Sequence, residues 1–165
     1  MQLKQTLVTL ALCAAAAAAS ATTYTIGSLP IAPSAYSNVA SVSGPSFSDT
    51  YDFSFPLGAS TSSASAVTID VGSLLNINGL TIQLFDAANT LLQVGSSGEA
   101  STLFDVPLLS GASYHFEVTG QVAGSGGGLY TFVATAAPVP EPETWALMLG
   151  GLAAIGFLIL RRRSN

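Results

Sequence analysis

A strict alternation of apolar and polar side chains between residues 47 and 55 constrains this chain more than any other feature. The odd positions hold aromatic rings at Phe47, Tyr51, Phe53 and Phe55, together with the carboxylate of Asp49. The even positions hold only hydroxyl and carboxylate side chains. A period of two residues is typical of a β-strand with one buried face. The alternation therefore predicts a strand whose aromatic face lies in a core.

The rest of the middle of the chain has similar patterns. Runs rich in β-branched and apolar residues occupy Ala64–Val71 and Leu80–Phe85, while Tyr114, Phe116 and Val118 alternate with polar neighbours. No stretch there has an apolar stripe of helical spacing and useful length. About seven or eight strands in roughly a hundred residues favour closure into two packed sheets. The sequence therefore predicts an all-β fold, a small antiparallel β-sandwich or jelly-roll-like domain.

Turn-forming segments predict how some of these strands are connected. Asp86–Asn89 precedes Leu91–Val94 and predicts a hairpin with the apolar run before it. Gly124–Gly128 contains four glycines and precedes Leu129–Thr135, which predicts a second hairpin with the preceding strand. Residues 22–45 are dominated by Ser, Ala, Pro and Asn, and they predict one extended strand followed by a loop.

The N-terminus has the three parts of a secretory signal peptide. Lys4 supplies a positive charge, and an Ala-rich apolar run extends from Thr6 to Ala19. Ala19-Ser20-Ala21 then fits the A-x-A cleavage pattern, which predicts a mature chain that starts near Thr22. A buried helix of a cytosolic protein is the alternative, but the order of these three parts favours export.

The C-terminus has the pattern of a short membrane anchor. An apolar run from Trp145 to Leu160 is followed at once by Arg161, Arg162 and Arg163. A helix of that length spans about 24 Å, somewhat less than a typical hydrocarbon core. Arginine stems can snorkel to the headgroups, and an aromatic ring suits the opposite interface. A buried C-terminal helix is the alternative, but the run has no polar face to meet solvent.

The arginines on one flank and the glutamates on the other predict that the C-terminus of this helix is cytoplasmic. The predicted organisation is a signal peptide and its helix at 1–21, an exported β-domain at 22–136, a Pro-rich stalk at 137–144, a transmembrane helix at 145–160 and a cytoplasmic Arg-rich tail at 161–165.

The C-terminal segment resembles a known sorting signal. Pro140-Glu141-Pro142, a short apolar helix and a terminal arginine cluster are similar in order, spacing and position to the PEP-CTERM sorting signal of Gram-negative bacteria. The resemblance implies delivery to the periplasmic face of the inner membrane and processing near the PEP motif by an exosortase. That enzyme is an integral-membrane cysteine protease or transpeptidase of exopolysaccharide-producing species. The expected destination is the cell surface or the extracellular matrix.

Two further resemblances concern the β-domain. Phe47-Ser48-Asp49-Thr50-Tyr51 resembles the FxDxF motif of one group of PEP-CTERM proteins, with Tyr51 at the place of the second Phe. No catalytic residues accompany that motif. From Tyr51 onward the order of strands resembles bacterial pre-peptidase C-terminal β-sandwich domains, including a late Gly-x-x-Tyr pattern at Gly111 and Tyr114. This second resemblance implies a fold and no activity.

The distribution of charge excludes some classes of partner. All four basic residues lie in the terminal segments, and the predicted β-domain at 22–136 carries seven carboxylates and no Lys or Arg. Nucleic-acid binding requires cations that neutralise phosphates, so this class is excluded. Binding to anionic lipid headgroups or to acidic substrates is disfavoured as well, because the β-domain has no Lys or Arg to attract them. The only cysteine, Cys13, falls in the predicted signal peptide, so the expected mature chain has no disulfide.

Residues that could perform chemistry are sparse. His115 is the only histidine, and it lies on the polar phase of its strand. No G-x-S-x-G motif accompanies it, which disfavours a serine hydrolase, and one imidazole without a thiolate disfavours zinc. Calcium would suit the oxygen ligands better, but Asp49 and Asp52 point to opposite faces of a regular strand. We therefore predict no catalytic residues, no metal site and no cofactor.

Asp49 differs from the other carboxylates because it shares the phase of the aromatic residues. A carboxylate on an apolar face needs backbone or hydroxyl partners. We therefore favour a structural function for Asp49, as a ligand for a turn or cap.

Four functions stay open on the sequence. We favour a non-catalytic surface or matrix protein, with exosortase and transiently the inner membrane as partners and exopolysaccharide as a further partner. A permanently membrane-anchored structural or adhesive protein is the alternative, followed by a hydrolase and a Ca-dependent carbohydrate-binding module. If the domain binds sugars on aromatic rings, Tyr24, Tyr36 and Tyr130 are the candidates.

Overall fold

The structure is a computed structural model that describes residues 19–138 and 146–155 of the 165-residue chain. The first of these ranges contains nine β-strands. They are β1 (Thr23–Ser28), β2 (Tyr36–Val42), β3 (Ser46–Ser54), β4 (Ala59–Thr68), β5 (Ile77–Asp86), β6 (Leu91–Val94), β7 (Ala100–Pro107), β8 (Ser113–Val122) and β9 (Gly128–Pro138).

The strands form two sheets that enclose one core. Sheet A has the order β1-β3-β8-β5-β6, and sheet B has the order β2-β9-β4-β7. β1 runs parallel to β3, while the other strand pairs of residues 19–138 are antiparallel. The prediction of a small two-sheet β-domain is therefore confirmed, with one parallel pair in place of a fully antiparallel arrangement.

The alternation in β3 builds the centre of the core. Its odd residues, from Phe47 to Phe53, are all buried, as is Phe55 just after its end, while the even ones face outward or are half-buried. The rings of Tyr51 in sheet A and Phe132 in sheet B stack with centroids 4.1 Å apart. Phe47 stacks in the same way on Tyr130, at 5.3 Å. These stacked rings join the two sheets, and burial of such large rings dominates core energetics.

The hairpin predicted at Asp86–Asn89 is present between β5 and β6. One carboxylate oxygen of Asp86, Oδ1, accepts the backbone N–H groups of Ala88, at 2.9 Å, and Thr90, at 2.8 Å. Asn89 adopts a φ of 60°, a left-handed conformation that Asn tolerates better than most residues. Turn chemistry that is local in sequence therefore determines this connection.

The hairpin predicted at Gly124–Gly128 is wrong, because β8 belongs to sheet A and β9 to sheet B. The glycine-rich segment crosses between the sheets and packs closely on the loop before β5. Gly124 donates its N–H to the carbonyl of Asn76, and Gly126 donates to that of Leu74. A Cβ on Gly124 would lie 2.5 Å from the backbone nitrogen of Asn76. The glycines therefore permit a close backbone approach and not a tight hairpin turn.

Two other expectations for strands need correction. Residues 22–45 contain two strands, since β1 pairs with β3 and β2 pairs with β9. β7 was not predicted from sequence; it pairs with the edge of β4 and leaves Phe104 exposed. The sequences of β1, β2 and β7 show only a weak alternation of apolar and polar residues. All three are edge strands, and an edge strand pairs with only one neighbour, so it needs a less regular apolar pattern than a central strand. β9 reaches Pro138, two residues into the predicted stalk.

The terminal predictions fall largely outside the described residues. Residues 1–18 of the predicted signal peptide, residues 139–145 and residues 156–165 are not part of the description. Residues 146–155, inside the predicted transmembrane segment, form a helix in which Leu147, Leu149 and Leu152 are exposed. In the portion of the chain that is described, we find no helix with the length and apolar character needed to cross a membrane.

Candidate functional site

The Phe47-Asp49-Tyr51 motif lies on the inner face of β3. Phe47 and Tyr51 are part of the core, and Asp49 is only 1% exposed between them. Asp49 is the one acidic residue that is buried among residues 19–138. A carboxylate in such a position must find hydrogen-bond donors nearby, since its loss of hydration is otherwise costly.

Both oxygens of Asp49 have a donor. Its Oδ1 accepts the backbone N–H of Thr22 at 2.9 Å, and its Oδ2 accepts the hydroxyl of Tyr130 at 2.7 Å. Thr22 lies next to β1, at the edge of sheet A, whereas Tyr130 lies in β9 of sheet B. The carboxylate therefore ties the N-terminal segment and the opposite sheet to the middle of β3.

The hydrogen bond from Tyr130 to Asp49 orders the hydroxyl groups beyond it. The oxygens of Tyr51 and Tyr130 are 2.9 Å apart. Tyr130 has one hydroxyl hydrogen and uses it on Asp49, so Tyr51 donates to Tyr130. Tyr51 in turn accepts the side-chain N–H of Asn38 at 3.2 Å. A chain of hydrogen bonds, which we call the Asp49 network, thus runs from Asn38 through both phenols to Asp49 and Thr22.

Burial keeps both phenols of the Asp49 network protonated. Burial raises the pKa of Tyr51 to about 12 from an ordinary value of 10.0. It raises the pKa of Tyr130 as well, and the hydrogen bonds to Tyr51 and Asp49 add to that effect. Loss of hydration disfavours the phenolate and is the main cause of both pKa shifts, and the negative charge of Asp49 adds to it in the same direction. The network is therefore a set of structural contacts in which both carboxylate oxygens and both phenol hydrogens find a partner.

Asp49 and Asp52 lie on opposite faces of β3, as the strand geometry predicts. Asp52 is exposed and pairs in register with His115 of β8. The His115 ring stacks on Phe85, with centroids 5.1 Å apart and planes 8° apart. An open cleft of about 360 Å³ lies beside these residues and is also lined by Thr25. Across residues 19–138 and 146–155, no three His, Cys, Asp or Glu side chains converge as metal ligands would.

A second open cleft, of about 550 Å³, lies beside the β5–β6 hairpin. Its walls are mostly apolar and include Leu92, Leu108 and Leu109. Tyr114 lies at its base and accepts the backbone N–H of Leu109 at 3.0 Å. The sequence did not predict this cleft, because its walls come from the β5–β6 hairpin, the connection between β7 and β8, and the start of β8, which are separate in sequence.

The candidate sugar-binding tyrosines differ in exposure. Tyr130 is fully buried and belongs to the Asp49 network, so it is not available to a sugar. Tyr24 and Tyr36 are half-buried, and each packs against Tyr51.

Tyr130 and Thr22 are the partners of Asp49 that the sequence did not indicate. The only signal for Tyr130 is its place in the alternating run from Leu129 to Thr135.

The residues predicted for sorting lie outside the described ranges. These are Pro140, Glu141 and Pro142 of the motif and Arg161, Arg162 and Arg163 of the membrane stop. Residues 138–163 match the model of a family described as the PEP-CTERM protein-sorting motif. The match covers the predicted stalk, apolar run and arginine cluster, and thus carries the sorting signal predicted from the sequence. Membership of the FxDxF group is not confirmed by this match.

The solved structures that resemble this chain do so with low sequence identity and low TM-scores. No curated protein matches the chain. The pre-peptidase C-terminal domain of a collagenase from Bacillus anthracis is 14% identical, over 69% of this chain and 93% of that domain, with a TM-score of 0.38. PliG, a periplasmic inhibitor of g-type lysozyme from Aeromonas hydrophila, is 13% identical, over 72% of this chain and 99% of PliG, with a TM-score of 0.36. Scores this low do not establish a shared fold, so the architecture rests on the strand pairing described above.

Proposed function

We propose that this chain is a non-catalytic exported protein of the cell surface or extracellular matrix, sorted by its C-terminal segment. The observation that carries the proposal is the match of residues 138–163 to the PEP-CTERM protein-sorting motif. In this proposal an exosortase processes the chain near Pro140-Glu141-Pro142 while the apolar run holds it at the inner membrane. The arginine cluster keeps the C-terminus in the cytoplasm until that step.

The charge of the β-domain narrows the class of matrix partner. Residues 22–138 carry seven carboxylates and neither Lys nor Arg. An acidic polysaccharide would be repelled by this surface, so the exopolysaccharide that we propose as partner is a neutral one. Of the three candidate tyrosines, the half-buried Tyr24 and Tyr36 are still open to such a contact.

Two arrangements support a non-catalytic β-domain. Each oxygen of Asp49 accepts a hydrogen bond, from Thr22 and from Tyr130, and the side chain is buried, so the carboxylate is not exposed to a substrate. His115 lies flat on Phe85 at the outer face of sheet A. Among residues 19–138, His115 forms no hydrogen bond with another side chain, so no side chain there orients it as triads orient their histidine.

Intact-mass analysis of surface and membrane fractions from the native host tests the sorting proposal. We expect a species that begins near Thr22 and ends in the stretch from Pro140 to Glu143. Glu141→Gln should accumulate with Trp145–Arg163 retained, because it alters the motif itself. Glu143→Gln removes the same charge two residues away and serves as the matched control, which should be processed normally.

The opposite results would change the assignment. A wild-type species that keeps Trp145–Arg163 would indicate permanent anchoring, and the exosortase step would be wrong. Equal processing of the Glu141→Gln and Glu143→Gln variants would show that the PEP motif is not what the processing enzyme reads.

A further inference from the structure

We propose that Asp49 is the internal receptor for the mature N-terminus, binding the α-ammonium group that signal-peptide cleavage creates at Thr22. The inference rests on the export part of the proposed function and on cleavage after Ala21, and it is independent of C-terminal sorting. Export would then complete the core of the β-domain by supplying the cation that pairs with its buried carboxylate.

The geometry places the nitrogen of Thr22 at the carboxylate. The Thr22 nitrogen lies 2.9 Å from Oδ1 of Asp49. Thr22 is held there by its own carbonyl, which accepts the N–H of Thr50 at 2.8 Å. The next residue, Thr23, begins β1 and pairs with Thr50 in the parallel register. These contacts lie at or after residue 22, so they persist when the preceding residues are removed.

The charges of the β-domain leave Asp49 without another cation. Residues 22–138 contain no Lys or Arg. His115 lies on the polar, outward phase of β8, whereas Asp49 faces the core. A buried carboxylate is stable when a paired charge and further hydrogen bonds compensate its desolvation. The α-ammonium of Thr22 is the one fixed positive charge that a mature chain starting at this residue would bring to Asp49.

The cleavage reaction converts one kind of donor into another. Hydrolysis breaks the amide bond between the carbonyl carbon of Ala21 and the nitrogen of Thr22. Water supplies the hydroxyl of the new Ala21 carboxyl group and a hydrogen to the nitrogen, which becomes an amine. The amine takes up a further proton at neutral pH because its ordinary pKa is about 8. A single amide N–H at Asp49 is thus replaced by an ammonium group.

The same cleavage removes contacts that the uncleaved chain makes. Ser20 donates its N–H to Ser46 at 3.0 Å and accepts the N–H of Ser48 at 2.9 Å. Loss of Ser20 ends both bonds, and the charge-assisted pair at Asp49 replaces them. Charge-assisted hydrogen bonds are roughly twice as strong as neutral ones. The start of β3 is therefore held by the Ser20 bonds and the Thr22–Asp49 hydrogen bond before cleavage, and by the Thr22–Thr50 bond and the Thr22–Asp49 ion pair after it.

The composition of the chain supplies a clean assay. Lys4 is the only lysine, so a chain that starts at Thr22 has one primary amine, its N-terminus. Amine-reactive reagents attack the neutral amine only, and an adjacent carboxylate favours the charged form. The other titratable groups around Asp49 are the phenols of Tyr51, Tyr130 and Tyr24. The raised pKa values of Tyr51 and Tyr130 keep both neutral between pH 7 and 9.

The experiment uses the exported protein from its native host, with its N-terminus determined by intact mass. At pH 8 we expect the wild type to react with an N-hydroxysuccinimide ester about fivefold more slowly than the Asp49→Asn variant, which corresponds to a rise of about one unit in the pKa of an amine whose ordinary value is about 8. Asp52→Asn is the matched control, since Asp52 lies exposed on the same strand, and it should react as the wild type does.

A second measurement needs no variant and covers the case in which Asp49→Asn does not fold. The labelling rate of the wild type is followed from pH 7 to 9 in buffer and in denaturant. The apparent pKa of the amine should be higher in the folded protein. Equal pKa values, equal rates for wild type and Asp49→Asn, or a mature chain that starts elsewhere than Thr22 would each overturn the inference. Retention of the C-terminal helix would instead contradict only the sorting proposal.

Discussion

Removal of the Tyr130 hydroxyl is the most informative perturbation of the β-domain. Tyr130→Phe preserves the ring that stacks on Phe47 and deletes the donor 2.7 Å from Oδ2 of Asp49. It also deletes the acceptor used by Tyr51. A buried charged group left without its partner costs more than the 1 to 3 kcal/mol of a neutral one, so we expect a loss of about 3 kcal/mol. That is a large part of the stability of a small domain.

Tyr51→Phe is the control for this perturbation. It restores Phe at the second aromatic position of the motif and leaves the Tyr130–Asp49 bond in place. Two neutral hydrogen bonds are lost, the one that Tyr51 accepts from Asn38 and the one that it donates to Tyr130, while the ionised group keeps both of its donors. We therefore expect a loss of about 1 to 2 kcal/mol, the usual net value of two hydrogen bonds between neutral groups.

Equilibrium unfolding in urea, followed by far-ultraviolet circular dichroism of the exported protein, measures both losses. The midpoint of unfolding should shift more for Tyr130→Phe than for Tyr51→Phe, with unchanged slopes. Equal shifts, or no shift for Tyr130→Phe, would mean that Asp49 is not held as an ionised buried acceptor. The reasoning on the Asp49 network would then be refuted.

Three further predictions follow from the described residues. The stability of the domain should fall as the pH rises above 10 in urea titrations, because the folded-state pKa of Tyr51 is raised to about 12 from 10.0; a flat profile would contradict this shift. Asp86→Ala should increase the hydrogen-exchange rates of the Ala88 and Thr90 amides, because it removes the carboxylate that accepts both hydrogen bonds. Unchanged rates would show that the turn does not need this carboxylate. Gly120→Ala should destabilise the domain by about 1 to 3 kcal/mol in thermal unfolding, because a Cβ there would lie 2.8 Å from the Phe47 ring; an unchanged midpoint would mean that the ring moves freely.

Local patterns explain the features that could be predicted from sequence. The phase of β3 follows from the pleat, which sends alternate residues to opposite faces, so the burial of Phe47 and Asp49 required no knowledge of other strands. The β5–β6 hairpin follows from the short-range hydrogen bonds of Asp86. The sorting segment, matched at residues 138–163, is likewise recognised from residues adjacent in sequence.

Features that depend on distant segments were decided only by the tertiary structure. The partners of Asp49 lie 27 residues before it, at Thr22, and 81 residues after it, at Tyr130. The assignment of β8 and β9 to different sheets depends on the close approach of Gly124 to Asn76. Strand pairing and register are sums of many weak cross-strand terms over a whole sheet, and no local pattern encodes them. The sequence thus determined that Asp49 faces the core, and the packing of two sheets determined which groups meet it there.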